Sequence, residues 1–283
     1  SKILWGAEHP YGRLVTPAEV QALTPADTKA FHKQWFGPNN ATLFVVGDTT
    51  MAQIKPKLKG ALAGWANAPG KRQQVANGAR PSRPAVYLVD RPGSVQSVIL
   101  VGSAQLPRNP AEDQRVTAFN ALFGGNFDSR VNMNLREDKG WSYGARSSMG
   151  GGRAPRTFMI SVPVQTDQTK GALVELRKKL TEIDGRRPPS PTELNTVRTN
   201  TLLGMAGRWG TSGAGMDSLS DISMFNLPPD YWDTYATTYR AVTPADVEAM
   251  AQKIIPNQNH VWVVVGDRAK IEKGVRELNI GEL

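Results

Sequence analysis

GGNFDSRVNMNLREDKGWSYG, residues 124–144, changes the direction of the chain twice. The Gly124-Gly125 pair makes a break, and a helix is predicted from about Asp128, with Val131 and Leu135 one turn apart on the same face. Gly140 stops that helix, and a strand is predicted to open at Trp141. Arg136 then lies near the helix end and Tyr143 at the start of the strand. A guanidinium and a phenol seven residues apart across such a corner can converge on one carbonyl oxygen, because both donate hydrogen bonds. Spacing alone equally allows a plainer reading: Arg136 as a solvated cation suited to the end of the helix dipole, and Tyr143 as an ordinary strand aromatic.

An internal repeat frames this stretch. Residues Gln21 to Asp48 align without a gap to Arg240 to Asp267 at an offset of 219, with 11 of 28 positions identical. Each copy has a Thr N-cap (Thr24, Thr243), Pro at the first helical position (Pro25, Pro244) and Asp at the third (Asp27, Asp246), where a carboxylate suits the helix start. An amphipathic helix, a polar turn at Asn39-Asn40 or Gln258-Asn259, and a strand ending Val-Val-Gly-Asp follow. So long a period makes each copy a domain, not a motif. The second copy is predicted to begin near Ala85, after a linker rich in Pro, Gly and basic residues. Subtracting the offset puts the start of the first copy before Ser1. The expected organisation is therefore 1–67 as the closing half of a first domain, 68–84 as linker and 85–283 as a complete second domain. A half-domain of this kind would expose an apolar face.

In order, the chain predicts a helix after Thr24, a strand over Ala41 to Gly47 and a helix over Met51 to Trp65. A hairpin follows, made of AVYLVD, the turn Arg91-Pro92-Gly93 and VQSVILVGSAQL. A helix over Ala111 to Phe123 comes next. Beyond the corner, YGARSSM and TFMISVPVQ form a strand pair joined by the loop Gly150 to Pro155. Leu173, Leu176, Leu180 and Ile183 mark a helix. Ser190-Pro191-Thr192-Glu193 is a capping box opening another. Helices over Ala214 to Asn226, Asp230 to Tyr239 and Ala269 to Leu278 complete the series. Strand pairs separated by helix pairs predict an α+β fold, a mostly antiparallel sheet covered by helices.

Composition narrows the function. With 40% apolar residues the chain is globular, and no run of apolar residues is long enough to span a membrane. Ser1 opens no basic-then-apolar leader, which predicts a mature or truncated start. Absence of cysteine excludes disulfides, thiol catalysis and thiolate metal sites. The net charge of +9 permits an anionic partner. The basic groups at Lys55 to Arg72 and at Lys178, Lys179, Arg186 and Arg187 are not interleaved with aromatics, which disfavours a nucleic-acid surface. His9, His32 and His260 stand in no metal-binding spacing, and His9, beside Glu8, is the one to check for metal. No Gly-x-Ser-x-Gly elbow marks a nucleophile.

The pattern around SRV, LRE, KG and SY in residues 129–143 resembles the pitrilysin-like (insulinase) family of zinc metallopeptidases, in particular its two-domain bacterial members and the mitochondrial processing peptidase. The opening EHPYG at Glu8 to Gly12 is similar to a loop of the family's first domain. The resemblance implies that Arg136 and Tyr143 bind substrate, gripping the peptide backbone beside a zinc carried upstream or on a partner subunit. In active first domains the helix equivalent to 111–123 carries His-x-x-Glu-His; here it reads EDQRVTAFNALF and lacks histidine. The chain is thus expected to supply no catalytic and no metal-ligating residue, to need no cofactor of its own, and to be inactive alone. The resemblance further implies a peptide substrate, a zinc-bearing partner domain or subunit, homo- or heterodimerisation, and export to the periplasm or else the cytoplasm. A non-catalytic scaffold subunit of the same family, or a basic nucleic-acid-binding module, are the alternative readings.

Overall fold

The computed structural model describes residues 1–78, 83–150, 153–255 and 259–283. Helices α1 (Lys2–Trp5), α2 (Pro17–Gln21), α3 (Pro25–Trp35) and α4 (Met51–Ala61) precede strands β1 (Ala85–Asp90) and β2 (Gln96–Gln105). Then come α5 (Asp113–Asn120), α6 (Arg130–Asn132), β3 (Arg146–Gly150), β4 (Arg156–Gln165), α7 (Thr169–Thr181) and α8 (Pro191–Ala206). Helices α9 (Ser212–Phe225), α10 (Tyr231–Arg240) and α11 (Pro244–Ile254), strand β5 (Val261–Gly266) and α12 (Arg268–Glu277) follow.

Helix starts follow from short-range chemistry. Thr16, Thr24, Thr50, Ser190 and Thr243 each accept from the backbone N–H three residues on, and the side chain there (Glu19, Asp27, Gln53, Glu193, Asp246) returns to the cap's own N–H. Two otherwise unpaired donors are thereby satisfied at each start.

The five strands form one sheet in the order β1-β5-β2-β4-β3. Three of its four pairings are antiparallel and β1 with β5 is parallel, which agrees with the α+β fold class. On one face, Ile99, Val101, Phe158, Ile160, Val162, Val164 and Val264 are buried against α5, α7, α10 and α11. Leu173, Leu176, Leu180 and Ile183 lie on the buried stripe of α7 and the turn after it, as their spacing predicts.

Several expectations are corrected. The β1–β2 hairpin does not form, because β5 inserts between its arms; the Gly93 N–H then donates to Asp267 Oδ2 at the end of β5. Helix α4 ends at Ala61, short of Trp65. Residues 41–46 form no strand and pair with none among the described residues. Their repeat counterpart, β5, sits between two neighbours, and a strand cannot form a ladder without one. The result is exposure: Leu43 is 59% exposed whereas its counterpart Trp262 is 2%. Phe31, Phe36 and Val45 are likewise exposed where Met250, Ile255 and Val264 are buried, and none of α1 to α4 has a buried residue. Gln258 of the expected second turn, Gly151 and Gly152 of the loop, and 79–82 of the linker lie outside the described residues.

Candidate functional site: the Arg136–Tyr143 corner

The corner is built on a buried base. Val131 and Leu135 are fully buried on one face of α6 and of the wider turn Met133–Asp138 that continues it. Gly140 closes the helix at φ +66°, a left-handed conformation that costs a side-chain-bearing residue. Its N–H reaches the Arg136 carbonyl at 3.0 Å, and the Trp141 N–H reaches that of Leu135 at 3.0 Å. Trp141 then packs against α7, where a Cβ on Gly171 would come within 2.9 Å of its ring.

The expected strand does not open at Trp141; β3 starts at Arg146. Ser142 explains the delay, because its hydroxyl accepts from the Gly144 N–H and donates to the Gly144 carbonyl, both at 3.1 Å. Such local bonds compete with strand pairing and hold a bend instead. Tyr143 is carried at the crest of that bend and is 88% exposed, with no hydrogen bond to another described residue. Arg136 is also accessible: its Nε lies 3.2 Å from Glu137 Oε1, and its guanidinium sits 4.7 Å from the Phe127 ring centroid. Both residues predicted to grip substrate therefore face outward from one rigid corner, with no direct contact between them among the described residues.

Two side chains that sequence reasoning did not single out hold this corner. Asn132, almost fully buried, donates to the Phe127 carbonyl at 2.7 Å and accepts from the Ala145 N–H at 3.1 Å. It ties the segment under Arg136 to the segment after Tyr143. Arg130, also buried, donates to Glu193 on α8 and to the carbonyls of Arg187 and Pro188.

A trough runs away from Phe127. A hollow of about 360 Å³ lined by Asn126, Phe127, Asp128, Asn200 and Thr201 shares Asn126 and Thr201 with a cavity of about 370 Å³ that also contains Arg108, Asp113, Asn120 and Arg156. The cavity therefore lies along α5. Asp113 accepts from Arg108 Nε at 2.7 Å and from the Tyr231 hydroxyl at 3.2 Å. Burial works against the charge of Arg108, but Asp113 outweighs it and the guanidinium pKa rises. Burial outweighs the attraction of Asp113 at Arg156 and lowers its pKa, with the like charge of Arg108 adding to the effect and Glu112 opposing it. Desolvation likewise pushes the Tyr231 phenol up.

Among the described residues no group of three or more His, Asp or Glu side chains could hold a metal. His9 has both ring nitrogens engaged, one 2.9 Å from the Ala76 carbonyl and the other accepting from the Tyr11 N–H at 3.0 Å, and its ring stacks on Trp5. His32 stacks on Phe36.

A sequence profile described as the peptidase M16 inactive domain matches residues 22–201. The chain belongs to that family. Comparison with curated proteins gives no match. Among solved structures, the peptidase M16 inactive domain from Pseudomonas fluorescens superposes with a TM-score of 0.84 at 22% identity, over 94% of this chain and 63% of that one. The periplasmic protease PqqL from Escherichia coli gives 0.72 at 14% identity, over 93% and 30%. The ferredoxin protease FusC, in complex with Arabidopsis ferredoxin, gives 0.67 at 15% identity, over 93% and 29%. The chain thus spans less than two thirds of the length of each, and at these identities the likeness concerns the fold. No helix among the described residues is long and apolar enough to cross a membrane.

Proposed function

We propose that this chain is the non-zinc portion of a zinc metalloendopeptidase of the M16, or pitrilysin-like, family, and that it grips the peptide substrate through Arg136 and Tyr143. The observation that carries the reading is the exposure of Tyr143 on a bend whose flanking Ser142 and Ala145 are buried and hydrogen-bonded. A large aromatic held outward in this way, with no partner for its hydroxyl among the described residues, is organised for something outside the chain. Arg136 and Tyr143 would donate to one backbone carbonyl of an extended peptide, and fixed donors there favour the oxyanion that develops during cleavage.

The metal, with the water it activates, would belong to a segment upstream or to a partner subunit. The exposed faces of residues 1–67 support that division. They are the counterparts of residues that β1, β2 and α5 bury in the second copy, so the partner segment would provide a strand on each side of residues 42–47. Residues 1–67 would then close a first domain and 85–283 form the second. FusC is seen with a protein bound, which supports a peptide or protein substrate here. Export to the periplasm is proposed from likeness to PqqL, which is described as periplasmic.

The test is cleavage of a quenched fluorescent peptide by the zinc-bearing assembly. Tyr143→Phe should lower kcat/KM by about a hundredfold, the scale of one lost oxyanion donor. Near-normal turnover in that variant would remove the proposed role.

A further inference from the structure

The cavity at the far end of the trough is unbalanced in charge. Arg108 and Arg156 both line it, and one carboxylate, Asp113, lies with them. That carboxylate is already engaged by Arg108 at 2.6 and 2.7 Å and by the Tyr231 hydroxyl. Arg156 has no ion pair among the described residues; its Nε donates to the Leu106 carbonyl at 3.2 Å, and a guanidinium has four further N–H donors. Asp113 and Glu112 favour its charge through space but do not offset its burial, and an incoming anion in contact with the guanidinium relieves the remaining cost. Neutral polar groups surround it. Asn120 uses its side-chain oxygen on the Ser147 hydroxyl at 2.9 Å, which leaves its amide nitrogen as a donor, and Thr117 and Asn126 are on the wall. Val116, Met149 and Phe225 supply an apolar side suited to methylene groups.

We propose that this cavity is a carboxylate subsite, in which Arg156 receives an acidic side chain of the peptide whose backbone lies across Phe127. A planar guanidinium matches a carboxylate in two-point geometry, and the room of about 370 Å³ admits a glutamate with its methylenes against Met149. The shared Asn126 and Thr201 make the path from the corner continuous. The peptide context rests on the Arg136 and Tyr143 reading above; the carboxylate site itself does not.

The two are tested separately. The Arg156 Nε–H resonance of the whole chain is followed by NMR as N-acetyl-L-glutamate, N-acetyl-L-glutamine or inorganic phosphate is added. The expected result is a saturable shift with the glutamate and none with the glutamine. Loss of glutamate binding is expected in Arg156→Gln, whose remaining spectrum is unchanged. An extended peptide with one glutamate should then bind about tenfold tighter than its glutamine twin at one position of a scan, as suits one charge-assisted hydrogen bond, and equally in Arg156→Gln. No shift, an equal shift with the glutamine, tighter binding of phosphate, or a glutamate preference that survives Arg156→Gln overturns the subsite. The grip fails by a different sign: Arg136→Ala leaves peptide affinity unchanged, whatever Arg156 does.

Discussion

Arg130 and Glu193 form a two-point ion pair, Nε to Oε1 and Nη2 to Oε2, both at 2.8 Å, that links the base of the Tyr143 corner to the first turn of α8. Glu193 is also the capping-box acid for Ser190, so one carboxylate serves the helix start and the tertiary contact together. Arg130 in turn satisfies the carbonyls of Arg187 and Pro188.

Arg130→Ala therefore takes that donor from two carbonyls and leaves the Glu193 carboxylate with its bonds from Ser190 but no two-point partner. The expected loss is about 2–3 kcal/mol, below the range for a fully buried pair because Glu193 keeps some access to water. Urea unfolding of the variant measures it; an unchanged midpoint would show that the contact contributes nothing.

The same pair predicts a pH dependence. Burial raises the Glu193 pKa, but hydrogen bonds from Arg130 and Ser190 outweigh it and bring it from 4.5 down to about 2. Between those values the unfolded chain binds a proton that the folded chain does not. Stability from this group is full above 4.5 and falls as the pH drops towards 2. Unfolding curves at about pH 5 and about pH 3 should show a smaller drop for Glu193→Gln than for the parent; equal drops would contradict the assignment.

Gly140→Ala isolates the backbone at the corner. Nothing lies within 4 Å of the added methyl, so the cost is that of a left-handed alanine alone, about 1 kcal/mol. Gly140→Asn should cost less, because asparagine tolerates that region. Calorimetric melting that ranks Asn below Ala would refute the account.

Tyr143→Phe should leave the melting temperature of the chain unchanged, since the hydroxyl has no intramolecular partner among the described residues. A destabilised variant would mean that the hydroxyl has a structural role.

The exposed Leu43, Val45, Phe31 and Phe36 predict that the chain self-associates as concentration rises. Leu43→Lys with Val45→Lys should shift it towards monomer in light scattering, with no loss of folded signal. Association that is unaffected by the pair would place the contact elsewhere.

Much of the architecture is legible because it rests on contacts a few residues long. The capping boxes at Thr24, Ser190 and Thr243, the left-handed stop at Gly140 and the apolar stripe of α7 each need one turn of chain and follow from its order. The helix end that carries Arg136 was reachable in the same way, whereas the bend that carries Tyr143 was not, because the strand expected at Trp141 opens only at Arg146. Asn132 was not, because its partners Phe127 and Ala145 flank it at unequal distances and an asparagine within a helix reads as neutral. Arg156 and Arg108 were not either, since no spacing connects residues that meet only when β4 lies beside β2.

By itself, the order of residues determined the repeat at 219, the helix starts, the α+β class and the absence of a histidine pair on the helix at 111–123. Tertiary structure alone decided that β5 enters between β1 and β2, that its counterpart at 42–47 finds no neighbour among the described residues, and that Arg156 lines the cavity without a carboxylate in direct contact among the described residues. The physical reason is one of range. A cap or a helical stripe gains its energy within a turn, whereas a strand gains it only from a partner brought from far along the chain.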